Sequence, residues 1–170
     1  RIEFAVGERG IEHRAAEKRA VLDAGRELDA APAALAEAAG RLSAQVEELE
    51  SALVAARRRL VESALSGAEP FERDGATWLV ATVDGVEAND CREPLQASAG
   101  RDADVVVSVG ESGGTFVAVA AGPDHDASAV VEAVTAAHGG DGGGSGSFAQ
   151  GGGIDASPAT VAEGLRIEGT

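Results

Sequence analysis

Residues 138–153, HGGDGGGSGSFAQGGG, hold nine glycines among the fifteen positions after His138, with Phe148, Ala149 and Gln150 set before the last glycine cluster. Glycine at this density lets a backbone approach a ligand closely, so phosphate binding is the first chemistry to weigh. A phosphate cradle of the P-loop kind needs strand, loop, Gly-Lys-Ser/Thr and helix in that order. No lysine stands here, and the glycines follow a helical pattern rather than a strand, so neither that cradle nor the dinucleotide fingerprint fits. A flexible linker has no use for a phenylalanine and a glutamine between glycines. Two readings remain: a glycine loop whose backbone packs in conformations closed to other residues, or one that offers backbone N–H groups to nucleic acid. The second makes Gly139, Gly140, Gly142, Gly143, Gly144, Phe148, Gln150, Gly151, Gly152 and Gly153 candidate nucleic-acid contacts.

The remaining reactive residues are sparse. Asp124, His125 and Asp126 form a short string, and His138 stands at the far end of the helical stretch that follows. Asp126 is placed as a helix N-cap, and a helix of this length holds the two histidines about 20 Å apart, so no metal site is expected. Cys91 has no histidine at ligand spacing and reads as a buried helical cysteine. Arg57, Arg58 and Arg59 are the one basic cluster. Consecutive helical residues fan about 100° apart, so ion pairing with glutamates competes with an RNA-facing role for Arg57 and Arg58. No catalytic residue is assigned.

Elements that would position these residues follow from periodicity. Residues 11–29 read as a helix, interrupted by Asp29–Pro32, with Pro32 suited to the first turn of a second helix. That helix carries Leu35, Ala39, Leu42, Val46, Leu49, Leu53, Ala56 and Leu60 at alternating steps of four and three, a heptad seam. The first helix is too short to cover it, so Leu35, Leu42, Val46, Leu49, Leu53 and Leu60 are expected to form a homodimer interface. Residues 66–75 break the pattern. Strands are then expected at 76–83, 104–110 and 115–122, helices at 86–100 and 126–138, and a short helix opening at Ser157–Pro158, with LRIEG (165–169) as an edge strand. The class is α/β: a long-helix segment followed by a two-layer, mixed-sheet domain with a glycine-rich loop.

GGDGGG followed by FAQGGG resembles the glycine signature of the C-terminal, DHH-associated type of domain in alanyl-tRNA synthetases and their long free-standing editing relatives. The related domain of DHH-type phosphoesterases carries a GGGH-type version instead. RIEFAVG (1–7) resembles the last strand of that family's editing domain, and residues 11–66 its helical connector. The resemblance implies a division into a remnant of the editing domain (1–10), a coiled-coil connector (11–66) and the glycine-rich domain (74–170). It further implies contact with tRNA(Ala) and dimerisation in support of hydrolysing mischarged tRNA. The family's zinc-ligand motifs lie upstream of the RIEF-like strand, so zinc and ATP are expected only in other domains of a parent protein, and this piece is expected to be inert. Asp141 stands where the family often has lysine, and Ser145–Ser147 where it has a basic or proline-containing stretch, which removes positive charge from the loop.

Composition sets the outer bounds. Aromatic residues make up only 3% of the 170, so the core must be built mainly from Val, Leu, Ile and Ala. The start at Arg1, with no methionine, reads as an excised fragment. A single cysteine fits a reducing cytoplasm, and no apolar run approaches the length of a membrane span. Net charge is −15, with a single lysine, Lys18. This acid-rich, lysine-poor character resembles that of salt-adapted proteins, and like charges on a small globule repel one another. The screening length falls from about 10 Å at 0.1 M salt to about 3 Å at 1 M. The melting temperature, followed by circular dichroism, is therefore predicted to rise steeply over that range; a flat curve would refute the self-repulsion argument.

Overall fold

The computed structural model describes residues 6–167. They fall into two compact units whose boundary lies between Ala52 and Leu53. In the first unit, α1 (Glu8–Glu27) begins three residues before the expected start and ends two before the expected end. It stops at a turn in which the Ala30 amide donates to the Gly25 carbonyl and Asp29 takes a φ of 45°. Gly25 is required there, because a Cβ would stand 2.8 Å from the Ala30 carbonyl oxygen. A 3-10 turn at Pro32–Ala34 leads into α2 (Leu35–Gly67), the 33-residue helix that carries the seam and continues into the second unit. The strand expected at Arg1–Gly7 lies outside the described residues except for Val6 and Gly7, which are not in a strand.

The second unit is built on a six-stranded mixed sheet ordered β1-β2-β3-β4-β6-β5. Its strands are β1 (Phe71–Arg73), β2 (Ala76–Val83), β3 (Val105–Glu111), β4 (Thr115–Ala121), β5 (Asp141–Ser145) and β6 (Phe148–Ile154). β2 and β3 run parallel, joined by α3 (Ala88–Ser98), and the other pairs are antiparallel. β2, β3 and β4 lie where their apolar runs place them. β1 falls inside the segment read as a break. Asp74 and Gly75, both at positive φ, form the two-residue turn that an Asp-Gly pair favours, and β1 pairs across it with β2.

Helices cover both faces of the sheet, one layer more than expected. On one face Val80, Val107, Val117, Val119 and Ala149 pack beneath α4 (Ala127–His138) and α5 (Pro158–Ile167). On the other, Val106, Ala118, Ala120 and Phe148 pack with Leu95 of α3 and with Val61 and Leu65 from the end of α2. Asp126 caps α4 by accepting from the Ser128 amide at 2.8 Å, and Ser157 accepts from the Thr160 amide at the start of α5. Leu165, Arg166 and Ile167 extend α5, so LRIEG does not supply the expected edge strand over its described residues. Val161, Ala162 and Leu165, at helical spacing, bury one side of that helix against the sheet and outweigh the short alternating pattern.

Candidate nucleic-acid interface

The glycine segment is not a loop. Asp141–Ser145 and Phe148–Ile154 form a hairpin at the sheet edge, and among the described residues β5, the outermost strand, pairs only with β6. α4 lies under this hairpin and is tied to it at both ends. The Ala127 amide donates to the Gly146 carbonyl at 2.8 Å, and the Asp155 amide donates to the His138 carbonyl at 2.9 Å.

The glycines divide by face. Gly142 and Gly151 stand opposite one another on the α4 side. A Cβ on Gly142 would lie 2.5 Å from Val131 Cγ1 and 2.9 Å from the Gln150 carbonyl oxygen, and one on Gly151 would lie 3.0 Å from Val131 Cγ1. Gly144 would drive a Cβ into the Ala149 backbone, and Gly140 into that of Gly152. Gly139, Gly140 and Gly153 have positive φ; Gly153 is the extra residue of a bulge where β6 slips against β4. On the α3 side, Gly143 and Gly152 have nothing within 4 Å of a Cβ. The register puts Gly143 beside Gln150, and Asp141 beside Gly152, on that same face. The hairpin thus has a packed side and an open side. The Oε1 of Gln150 is buried without a hydrogen-bond partner. Phe148 is 2% exposed, so its ring belongs to the core rather than to a stacking platform.

The basic residues do not gather at the hairpin. Arg57 meets Glu87 at 2.8 Å and Asp90 at 3.5 Å, and Arg58 pairs with Glu93, so both bind the end of α2 to α3. Arg73 donates to the Leu165 carbonyl, and Arg166 to the Val80 carbonyl. Arg101 pairs with Asp102 at 2.7 Å; that hydrogen bond and one from Ser98 hold the Asp102 carboxyl down at about 2. Arg92, an isolated arginine in the sequence with no motif around it, lies over the Phe148 ring, its Cζ 4.2 Å from the centroid. The two residues lie far apart in sequence, so no local pattern joins them.

The chemical candidates elsewhere are quiet. Cys91 is buried, and its thiol is pushed up to about 12, first by loss of solvent and then by the charge of Asp90. It is therefore protonated at neutral pH and a poor nucleophile. Asp126 and His138 occupy opposite ends of α4, and no group of metal-ligating side chains is found among the described residues.

The fold is that of a known domain class: the C-Ala domain of Aquifex aeolicus alanyl-tRNA synthetase superposes with a TM-score of 0.51, covering 59% of this chain and 96% of that one, at 23% identity. The sequence carries the relation further. Alanine–tRNA ligase of Thermus thermophilus is 34% identical over 160 residues, and that of Saccharophagus degradans 31% over 174, covering 91% and 95% of this chain. Homologues named alanine–tRNA ligase thus cover nearly the whole chain, which spans 18–20% of their length. No family model matches the chain.

The two sides of the hairpin differ in what they tolerate. Gly142→Ala is predicted to lower stability by about 1–3 kcal/mol through overpacking against Val131, whereas Gly143→Ala should stay within about 0.5 kcal/mol of the parent. Urea denaturation in molar salt measures both; equal effects would mean that the two faces do not differ in packing.

Proposed function

We propose that this chain is the tRNA-binding and self-associating module of an alanyl-tRNA synthetase, holding tRNA(Ala) for aminoacylation, and for hydrolysis of mischarged tRNA, by other domains of its parent. One observation carries this reading, the homology to alanine–tRNA ligases over nearly the whole chain; the open face of the glycine hairpin gives it a surface. Since the relatives are named as ligases, a ligase is favoured as the parent over a free-standing editing protein. The chain's own part is binding, with no cofactor.

The open face gives the binding a physical form. At Gly143 and Gly152 no side chain stands between the strand and a partner, so a ribose or a base plane can rest directly on the peptide groups. Among the described residues no strand lies beyond the outer edge of β5, and an unpaired edge presents N–H and C=O groups. Gln150 adds an amide on the same face. Gly139, Gly140, Gly142, Gly144, Gly151 and Gly153 shape this surface from behind or at its ends, and Phe148 supports it from the core. Arg57 and Arg58 serve here to hold α2 to α3. With little positive charge available, recognition is led by shape rather than by phosphate attraction.

Self-association follows from the seam. Leu42, Val46, Leu49, Leu53 and Leu60 are between 43% and 69% exposed, while Leu35 is half-buried. Burying a leucine is worth about 1.5–3 kcal/mol, and five large apolar side chains at heptad spacing along one helix suit a second copy of the same helix.

Two measurements test the two parts. Gly143→Val and Gly152→Val should each weaken tRNA(Ala) in filter binding by about tenfold, roughly 1.4 kcal/mol, with the melting temperature unchanged. Unaltered affinity in both would leave a purely structural coiled-coil module as the better reading. Light scattering in molar salt should give a dimer mass for the parent chain and a monomer mass for Leu49→Glu; a monomeric parent would remove the seam as an interface.

A further inference from the structure

Five of the seven arginines of the second unit are engaged by its own groups. Arg57 and Arg58 meet acids of α3, Arg73 and Arg166 donate to backbone carbonyls, and Arg101 pairs with Asp102. Arg59 and Arg92 have no hydrogen-bond or ion-pair partner among the described residues. Arg59 lies on the exposed surface of α2, away from the hairpin strands in sequence and element. Arg92 is exposed, and its guanidinium lies over Phe148, the first residue of β6. Phe148, Gln150 and Gly152 alternate onto one face of that strand, the face on which Gly143 is open.

This placement has two physical consequences. A guanidinium held over a ring keeps its charge and its in-plane N–H donors, and Phe148, being buried, fixes where that charge sits. The acids of α3 and its cap nearest in sequence are also paired in part: Arg57 is shared by Glu87 and Asp90, and Arg58 meets Glu93. In a chain of net charge −15, this leaves one oriented, unengaged cation bordering the open glycine face. We infer that Arg92 is the phosphate anchor of the tRNA-binding face: it grips a backbone phosphate of the RNA whose sugar or base rests on Gly143 and Gly152. The inference rests on the tRNA-binding reading above and adds the charged contact that the glycines themselves lack. It also gives Arg57 and Arg58 an indirect part, since they offset most of the charge of the acids on either side of Arg92 in sequence.

The test is the salt dependence of tRNA(Ala) binding by the full chain, measured by filter binding with the parent, Arg92→Gln, Arg92→Lys and Gly143→Val. Losing one phosphate contact should lower the slope of log affinity against log salt by about one, so Arg92→Gln is expected to bind about tenfold more weakly at low salt, with the shallower slope. Arg92→Lys, which keeps the charge, should retain the slope of the parent. An unchanged slope in Arg92→Gln, with Gly143→Val still weakened, would overturn the anchor while leaving the glycine face as the binding surface. A slope lost equally in Arg92→Lys and Arg92→Gln would overturn it too, because Arg92 would then act through packing on Phe148. If the parent chain does not bind tRNA(Ala), the tRNA-binding reading itself fails, and the anchor with it.

Discussion

The close approach of α4 to a glycine backbone is the constraint on which the sheet edge depends. Val131 occupies the space that side chains at positions 142 and 151 would need, and the ends of α4 are tied to Gly146 and Asp155 through backbone hydrogen bonds. Strands of ordinary composition would hold the helix further away and break those ties. Glycine is costly in a strand because it orders a flexible backbone for little side-chain packing. Here the cost is offset by the helix beneath and by the valine-rich centre of the sheet beside it. The same removal of side chains that permits packing on one face leaves the other face bare, so one sequence feature accounts for both.

Electrostatics follow a related logic of scarcity. Basic residues number 14 against 29 acids in the whole chain, and the fold places most arginines of the second unit where they close its structure. Arg73 and Arg166 reach backbone carbonyls, while Arg57 and Arg58 join α2 to α3. A surface arranged this way gives little non-specific attraction to nucleic acid and gives weight to any single cation that remains unengaged. In the cluster conspicuous in sequence, Arg57 and Arg58 are engaged in ion pairs with α3 and its cap, whereas the isolated Arg92 of α3 lies over Phe148.

Much of the fold was legible from the chain itself. The heptad seam, the apolar runs of β2, β3 and β4, the Asp126 cap and the Ser157–Pro158 helix start all depend on interactions within a few residues, which is the range that periodicity and capping rules describe. β1 was missed, because three residues inside a segment rich in turn formers read as a break, although the Asp74–Gly75 pair marks the turn across which it pairs. The glycine signature located the candidate site and, by resemblance, its family.

Pairing across long sequence separations was settled only in three dimensions. A run of glycine has no side-chain alternation to mark it as a strand, so β5 and β6 exist because α4 and β4 supply partners on either side. The division of the glycines into packed and open faces needs the register of β5 on β6 and the position of Val131. The end of α5 reads as strand or helix until the sheet beneath Val161, Ala162 and Leu165 decides. Arg92 acquires meaning only when the fold brings Phe148 beneath it. Sequence alone determined which segments could order themselves, because that is governed by local propensity and spacing; which surfaces meet and which stay open was decided by the tertiary structure, because contacts between distant segments form only after the elements pack.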